Sequence, residues 1–297
     1  MTRLATASPE ATTDRKPRDD EIDVFGLTHQ GRVRKTNNDH VLLASLHKRM
    51  DVVLTSIPGL ADASKQPERL AFLAMVADGV GGSEGGEEAS RLALEAVSEY
   101  LGPSLQAYYS ADDRENALLE AMQEAALRSH ARVLARQIER NDARKRATTL
   151  TLYVGMWPWT YLLQVGDSRY YVFRDGELMQ HTRDQTYAED LVDAGAMSRT
   201  QAEESPLRNV LSSAIGGDQT APVVQRIRAN WHNVHLMCSD GLTKHVSDQQ
   251  IRDRLATMTS AQQACEALLQ DALDDGGTDN ITIIIGRVVR KDIPASG

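Results

Sequence analysis

The chain has 297 residues, of which 41% are hydrophobic and 25% charged, as in an ordinary globular protein with a sizeable core. Its net charge of −9, with no basic run longer than Arg144-Lys145-Arg146, argues against a nucleic-acid-binding surface. No apolar stretch approaches the length of a membrane span, and Cys238 and Cys265 indicate no disulfide framework. We therefore predict a cytoplasmic protein that works as a monomer, without nucleic acid or membrane partners.

The motifs described below extend over nearly the whole chain, and no internal repeat divides them. Residues 21–291 are therefore predicted to form a single domain. The first 20 residues mix Thr, Ser, Pro and charges without an apolar core, which predicts a flexible tail and not a signal peptide. Residues 45–68, with turn residues at Pro58-Gly59, predict an insertion, and residues 292–297 a C-terminal tail.

The first half of the chain predicts strands followed by a pair of helices. Short strands are predicted at residues 22–27 and 41–44, and the continuous apolar run 70–76 is typical of a strand buried on both faces. A glycine-rich turn then opens a helix that we expect to end at Gly102-Pro103, because Gly and Pro disfavour helical continuation. A second helix is predicted at about residues 114–139.

The second half predicts a meander of strands, then helices and a final strand. Asp175-Gly176 is predicted to form a hairpin turn. The predicted strands are 149–155, 161–165, 170–174, 178–181, 223–227, 234–238 and 281–289, and the predicted helices are 185–194, 199–203, 247–257 and 260–273. Since helices come in pairs and strands in meanders, we expect an α+β fold of mostly antiparallel sheets with helices outside them.

Five short segments each place an aspartate beside Gly, Ser or Asn at the end of an apolar run: Asp39, Asp78, Asp167, Asp240 and Asp279. A carboxylate in this position can be directed into a shared pocket with little steric hindrance. Converging carboxylates repel one another unless cations lie between them, and hard divalent metals prefer such all-oxygen sites. The sequence therefore predicts a metal-dependent hydrolase.

Other kinds of site fit the sequence less well. The cluster Gly79–Gly86 has Glu84 where a dinucleotide fingerprint needs its third Gly, and it lacks the Lys of a P-loop. It remains either an ordinary strand-to-helix turn or a loop whose Gly79 carbonyl serves as a hard ligand. Residues 271–282 lack the acidic ligands of a calcium loop at Leu273 and Thr282. No zinc spacing and no serine nucleophile elbow occurs.

Taken in order, these segments resemble the bacterial metal-dependent protein Ser/Thr phosphatases of type 2C, the PPM family. The matching stretches cover about residues 22–289 and are Arg34-x-x-Asn37-Asn38-Asp39, Ala77-Asp78-Gly79-Val80-Gly81-Gly82-x-x-x-Gly86-Glu87-x-Ala89-Ser90, Thr148-Thr149, Val165-Gly166-Asp167-Ser168-Arg169, Cys238-Ser239-Asp240-Gly241-Leu242 and Gly277-x-Asp279-Asn280-Ile281-Thr282. The resemblance implies a four-layer α-β-β-α sandwich, in which two antiparallel sheets are flanked by helices.

The resemblance also implies two Mn²⁺ or Mg²⁺ ions, or three. Asp78 would bridge the first two, Asp240 and Asp279 would complete the first site, and the Gly79 carbonyl would bind the second, where Asp39 would act directly or through water. Asp167 with Asp240 resembles the third, weaker site of bacterial members. Arg34 would grip the phosphate, because its planar guanidinium matches two oxygens; its alternative is a surface ion pair.

The function implied is hydrolysis of phosphoserine and phosphothreonine in phosphoproteins by a metal-activated water, opposing a Ser/Thr kinase. Departures from the family pattern stand at Asn38, Val80 and Ser83, and they leave the proton donor unassigned. They also leave open a pseudophosphatase that acts as a binding or regulatory module. A small-molecule phosphomonoesterase would share the same chemistry. Residues 196–208 resemble the family's mobile flap beside the site.

Overall fold

The computed structural model describes residues 15–48, 68–80, 85–108, 114–140 and 146–291. Most of the predicted insertion and of both predicted tails therefore lies outside the described residues. In chain order the strands are β1 (Ile22–His29), β2 (His40–Lys48), β3 (Glu68–Ala77), β4 (Gly79–Val80), β5 (Ala147–Thr148), β6 (Leu150–Met156), β7 (Trp159–Val165), β8 (Arg169–Arg174), β9 (Glu177–Gln180), β10 (Val223–Arg228), β11 (Val234–Cys238) and β12 (Ile281–Val288).

Seven α-helices lie within these described ranges, and short 3₁₀ turns occur at Asp19–Glu21 and Pro206–Asn209. The helices are α1 (Gly85–Tyr108), α2 (Arg114–Arg140), α3 (Tyr187–Asp193), α4 (Arg199–Glu204), α5 (Asp240–Thr243), α6 (Asp248–Ala256) and α7 (Ala261–Asp274). Across these same stretches of chain, no helix combines the length and the apolar character that crossing a membrane requires.

The strands form two five-stranded antiparallel sheets, in the orders β1-β12-β11-β8-β9 and β10-β7-β6-β3-β2. Helices α1 and α2 cover the outer face of the second sheet, and α6 and α7 cover that of the first. A third apolar cluster, which includes Val76, Tyr170 and Ile284, joins the two sheets. The predicted four-layer sandwich is confirmed, and each sheet is buried on both faces, as the apolar run of β3 indicated.

Helix α1 differs from the prediction at its C-terminal end. The sequence places that end at Gly102-Pro103, but the helix continues through Pro103 to Tyr108, so the predicted end is wrong. A proline inside a helix removes one backbone hydrogen bond and costs about 3 kcal/mol. Burial offsets this cost, because Leu101 and Leu105 on either side of the proline are both essentially inaccessible in the core against β3 and α2.

The hairpin between β8 and β9 agrees with the sequence. Asp175 and Gly176 both have positive φ, 53° and 83°, as a tight turn between twisted antiparallel strands requires. In contrast, the two-residue pairing of β4 with β5 has no counterpart in the sequence prediction. This small pairing lies directly beside Asp78.

Candidate metal centre

The five aspartates meet at one end of the sandwich because each of them lies at the end of a strand. Asp78 follows β3 and Asp39 precedes β2, both in the second sheet, whereas Asp240 follows β11 and Asp279 comes shortly before β12 in the first. Asp167 lies between β7 and β8, where the chain passes from one sheet to the other. Strand ends from both sheets thus bring carboxylates together that are far apart in the chain.

A cavity of about 590 Å³ opens at this end of the sandwich. Its lining includes all but one of the predicted site residues: Arg34, Asp78, Gly79, Asp167, Asp240 and Asp279. Asp39, the exception, is buried directly behind it, where its carboxyl group contacts that of Asp78. Asn209, Val210 and Leu211, which come just after the predicted flap and include the end of its 3₁₀ turn, form part of the opposite wall.

Contacts of the main chain fix the positions of Asp78 and Asp240. Asp78 is held through its main chain, whose N–H donates to Thr149 Oγ1 at 3.0 Å and whose carbonyl accepts from Thr148 Oγ1 at 2.9 Å. Gly241 packs against the Asn280 carbonyl with no room for a Cβ atom, which places Asp240 next to Asp279. In the segment Cys238-Ser239-Asp240-Gly241, the glycine is therefore required for packing as well as for the turn.

Two buried carboxylate oxygens have no hydrogen-bond partner among the described residues. Asp39 Oδ2 accepts hydrogen bonds from Ser239 Oγ at 2.8 Å and Thr282 Oγ1 at 2.7 Å, whereas Asp39 Oδ1 accepts none. Asp240 Oδ1 is the second such atom. Since an unpaired buried carboxylate oxygen is costly, these atoms suit a cation ligand. The donor set is entirely oxygen, which fits Mn²⁺ or Mg²⁺.

The electrostatics of the cluster also favour a bound cation. Burial raises the pKa of Asp39 to about 6, and burial together with the neighbouring Asp240 raises the pKa of Asp167 to about 8. Burial and four neighbouring carboxylates, led by Asp39, raise the pKa of Asp78 well above its usual range. The raised pKa values favour the protonated form of these carboxyl groups when no cation is near, and a divalent cation would supply the charge that lets them ionise.

Two cationic side chains hold the solvent-facing part of the cluster. Lys244 Nζ lies 2.6 Å from Asp240 Oδ2 and 2.7 Å from Asp279 Oδ2. Arg34 forms a bidentate pair with Asp279, with Nε 2.7 Å from Oδ1 and Nη2 2.8 Å from Oδ2. Although burial acts in the opposite direction, Arg34 and Lys244 lower the pKa of Asp279. Within the described ranges, no three acidic, His or Cys side chains already surround one ion position.

Sequence reasoning missed some residues that hold the site together. Asn280 accepts a hydrogen bond from the Asn38 N–H at 2.9 Å and donates to the Gln30 and Thr36 carbonyls, both at 2.9 Å. It thereby fixes the loop that carries Arg34. Lys244 and the hydroxyl groups of Ser239 and Thr282 were missed as well. Ser239, Asn280 and Thr282 lie within the matched motifs, but nothing local in the sequence indicates their partners across the sandwich.

Known proteins resemble this chain in sequence and in fold. The family model described as protein phosphatase 2C matches residues 61–275. The serine/threonine protein phosphatase PstP of Mycobacterium tuberculosis is 35% identical over 223 residues, which are 75% of this chain and 41% of that protein. The chain therefore spans less than half the length of this relative. The serine/threonine phosphatase stp of Listeria welshimeri is 28% identical over 214 residues, which are 72% of this chain and 83% of that protein.

A solved structure supports the same relationship. The catalytic domain of the serine/threonine protein phosphatase PstP, in complex with two manganese ions, superimposes with a TM-score of 0.67 at 27% sequence identity. The superposition covers 91% of this chain and 99% of that one. The sandwich is thus the fold of a protein whose solved structure contains two manganese ions.

Proposed function

Because the chain belongs to the protein phosphatase 2C family, we propose that it hydrolyses phosphoserine and phosphothreonine in phosphoproteins with the help of divalent metal ions. The observation that carries this proposal is the convergence of Asp39, Asp78, Asp167, Asp240 and Asp279 at one cavity. Its relatives are named as serine/threonine phosphatases, which supports the same substrate class. A protein kinase that phosphorylates the same substrates would act in opposition.

The residues that would hold the ions follow from the cavity. Asp78 lies among the other aspartates and would be shared by two ions, with Asp240 and Asp279 on the side of the first sheet. The Gly79 carbonyl would bind on the other side, with Asp39 behind it. When bound, Mn²⁺ or Mg²⁺ supplies a Lewis acid that activates water near neutral pH and neutralises phosphate charge.

Arg34 is proposed to bind the phosphate group. Its side chain is 54% exposed at the cavity and already forms a bidentate pair with a carboxylate. The same planar group of donors fits two phosphate oxygens, so phosphate would replace the Asp279 carboxylate as its partner. Arg34 therefore orients the substrate and contributes positive charge, while Asn280 keeps its loop in place.

We also propose that the protein acts in the cytoplasm, as a monomer and as an active enzyme. Both cysteines are buried and free, which supports a reducing compartment such as the cytoplasm. All five aspartates come from one chain, which supports activity as a monomer. The presence of every predicted metal carboxylate at the cavity favours an enzyme over a pseudophosphatase.

Turnover of a phosphothreonine peptide in the presence of Mn²⁺ tests the proposed function. We expect release of inorganic phosphate, with a higher kcat/KM than for a phosphotyrosine peptide or for p-nitrophenyl phosphate at the same metal concentration. Binding of the peptide without phosphate release would indicate a pseudophosphatase. A clear preference for p-nitrophenyl phosphate over the phosphothreonine peptide would indicate a small-molecule phosphomonoesterase.

Asp167→Ala tests the proposed third metal. Asp167 is buried beside Asp240, and we expect its loss to lower peptide turnover at least about tenfold while the two tighter ions still bind. Calorimetric titration with Mn²⁺ and peptide turnover are measured on the same sample. If the variant melts at a lower temperature but keeps full turnover at saturating Mn²⁺, Asp167 is only a structural residue of the turn between β7 and β8.

A further inference from the structure

Lys244 occupies a position that neither the aspartate motifs nor the family comparisons assign. It directly follows α5, the short helix that Asp240 begins, and lies one helical turn from that aspartate. Its N–H donates to the Asp240 carbonyl at 2.8 Å, so the same turn of backbone positions the lysine and the proposed ligand. The lysine therefore cannot be far from Asp240 in any arrangement that keeps α5 intact.

The side chain of Lys244 lines the cavity and joins two neighbouring strand ends of the first sheet. Its single Nζ atom contacts Asp240 Oδ2 at 2.6 Å and Asp279 Oδ2 at 2.7 Å. These are the two carboxylates that, with Asp78, would hold the first ion. An ammonium group has one positive charge and donors only, so it partly neutralises the same two carboxylates that a divalent ion would require.

We propose that Lys244 is an internal cation that holds Asp240 and Asp279 until the first divalent ion displaces it, and that it thereby limits the metal affinity of this chain. The inference rests on the proposed metal-dependent function and specifies how its first metal site is controlled. An ion bound by both aspartates would lie close to Lys244 Nζ and would repel it, because like charges so close cost energy even when screened. Metal binding therefore requires the lysine side chain to move away.

The side chain has room to make this movement. Lys244 is 32% exposed in its side chain and borders the open cavity. Arg34 differs in that it forms its bidentate ion pair with Asp279, so it can keep one carboxylate oriented without bridging the pair. Lys244 is the bridging cation, and the inference concerns it alone.

Lys244→Met tests the inference, because methionine keeps the length of the side chain and removes its charge. Chelator-stripped protein is titrated with Mn²⁺ by calorimetry, and its melting temperature is recorded without metal. We expect the variant to bind the first Mn²⁺ about tenfold more tightly than the wild type. We also expect its metal-free melting temperature to fall by about 2 to 4 °C, since two carboxylates lose their shared partner.

Two further variants serve as controls. Lys291→Met removes the same charge beyond the end of β12, at the other end of the sandwich, where Lys291 Nζ lies 3.7 Å from Asp20. Lys244→Arg keeps a cation beside Asp240. Both should bind Mn²⁺ as the wild type does. Unchanged or weaker binding of Mn²⁺ by Lys244→Met would overturn the inference. Tighter binding by this variant, combined with no turnover of a phosphothreonine peptide by the wild type, would overturn the proposed function and support the inference.

Discussion

Chelation of divalent metals is expected to abolish hydrolysis of a phosphothreonine peptide, and added Mn²⁺ or Mg²⁺ is expected to restore it. The cavity offers only oxygen ligands, and Asp39 Oδ1 and Asp240 Oδ1 are buried without hydrogen-bond partners among the described residues. Hard cations suit such atoms, and the activation of water depends on those cations. Arg34 and Lys244 can neutralise Asp279 and Asp240, but neither can replace a Lewis acid.

The melting temperature provides a second measurement on the same samples. Ions that bind only the native state stabilise it by about 2.7 kcal/mol at a concentration of 100 times their dissociation constant. Saturating Mn²⁺ should therefore raise the melting temperature of chelator-stripped protein, in parallel with recovery of turnover. The control is stripped protein that receives the chelator already saturated with Mn²⁺. Full activity after exhaustive chelation would contradict a metal-dependent reaction.

Asp240→Asn is expected to reduce turnover at least about 100-fold. The metal ion would stabilise the negative charge that develops in the transition state, and its position depends on its carboxylate ligands. The amide keeps the size of the side chain and can still accept a hydrogen bond from Lys244. It removes the negative charge that the first ion would need, so we expect weaker Mn²⁺ binding as well. Turnover and calorimetric titration are measured across a range of Mn²⁺ concentrations.

The control for this variant is Asp253→Asn, which makes the same chemical change on the exposed surface of α6, where Asp253 bonds to Gln249 and Arg252. It should leave turnover and Mn²⁺ affinity unchanged. In the absence of metal, we expect Asp240→Asn to melt no lower than the wild type, because loss of repulsion with Asp78 and Asp167 offsets the weaker pairing with Lys244. Wild-type turnover by Asp240→Asn at saturating Mn²⁺ would show that Asp240 is not a metal ligand.

The fold and the aspartates could be predicted from the sequence because their signals are local. Asp78 and Asp240 each follow an apolar strand and precede Gly, and both reach the same cavity. The hydrogen bonds of Asp39 could not be predicted in this way, because its hydroxyl partners Ser239 and Thr282 lie 200 and 243 positions away in the chain. Such pairings depend on how β2, β11 and β12 approach one another across the sandwich, which no short segment specifies.

Lys244 and Pro103 show two further limits. In the sequence, Lys244 resembles an ordinary exposed charge, but in the structure α5 places it beside Asp240 and Asp279. The proline reads as a helix end, and it is overridden because Leu105 beyond it is fully buried in the core. In both cases a tertiary contact determines the local structure, and the local sequence preference does not predict that contact.

The order of synthesis conflicts with the order of strand pairing in this sandwich. β1 lies at the edge of its sheet and pairs within that sheet with β12, so the first described strand of the sandwich to be synthesised pairs with the last one described. Until residue 288 has emerged, β1 lacks its sheet partner, and such long-range pairing is slow to form. Asp279 comes just before β12, so the proposed first metal site also depends on this part of the chain. A ribosome-bound chain that ends before residue 279 would therefore lack a complete form of that site.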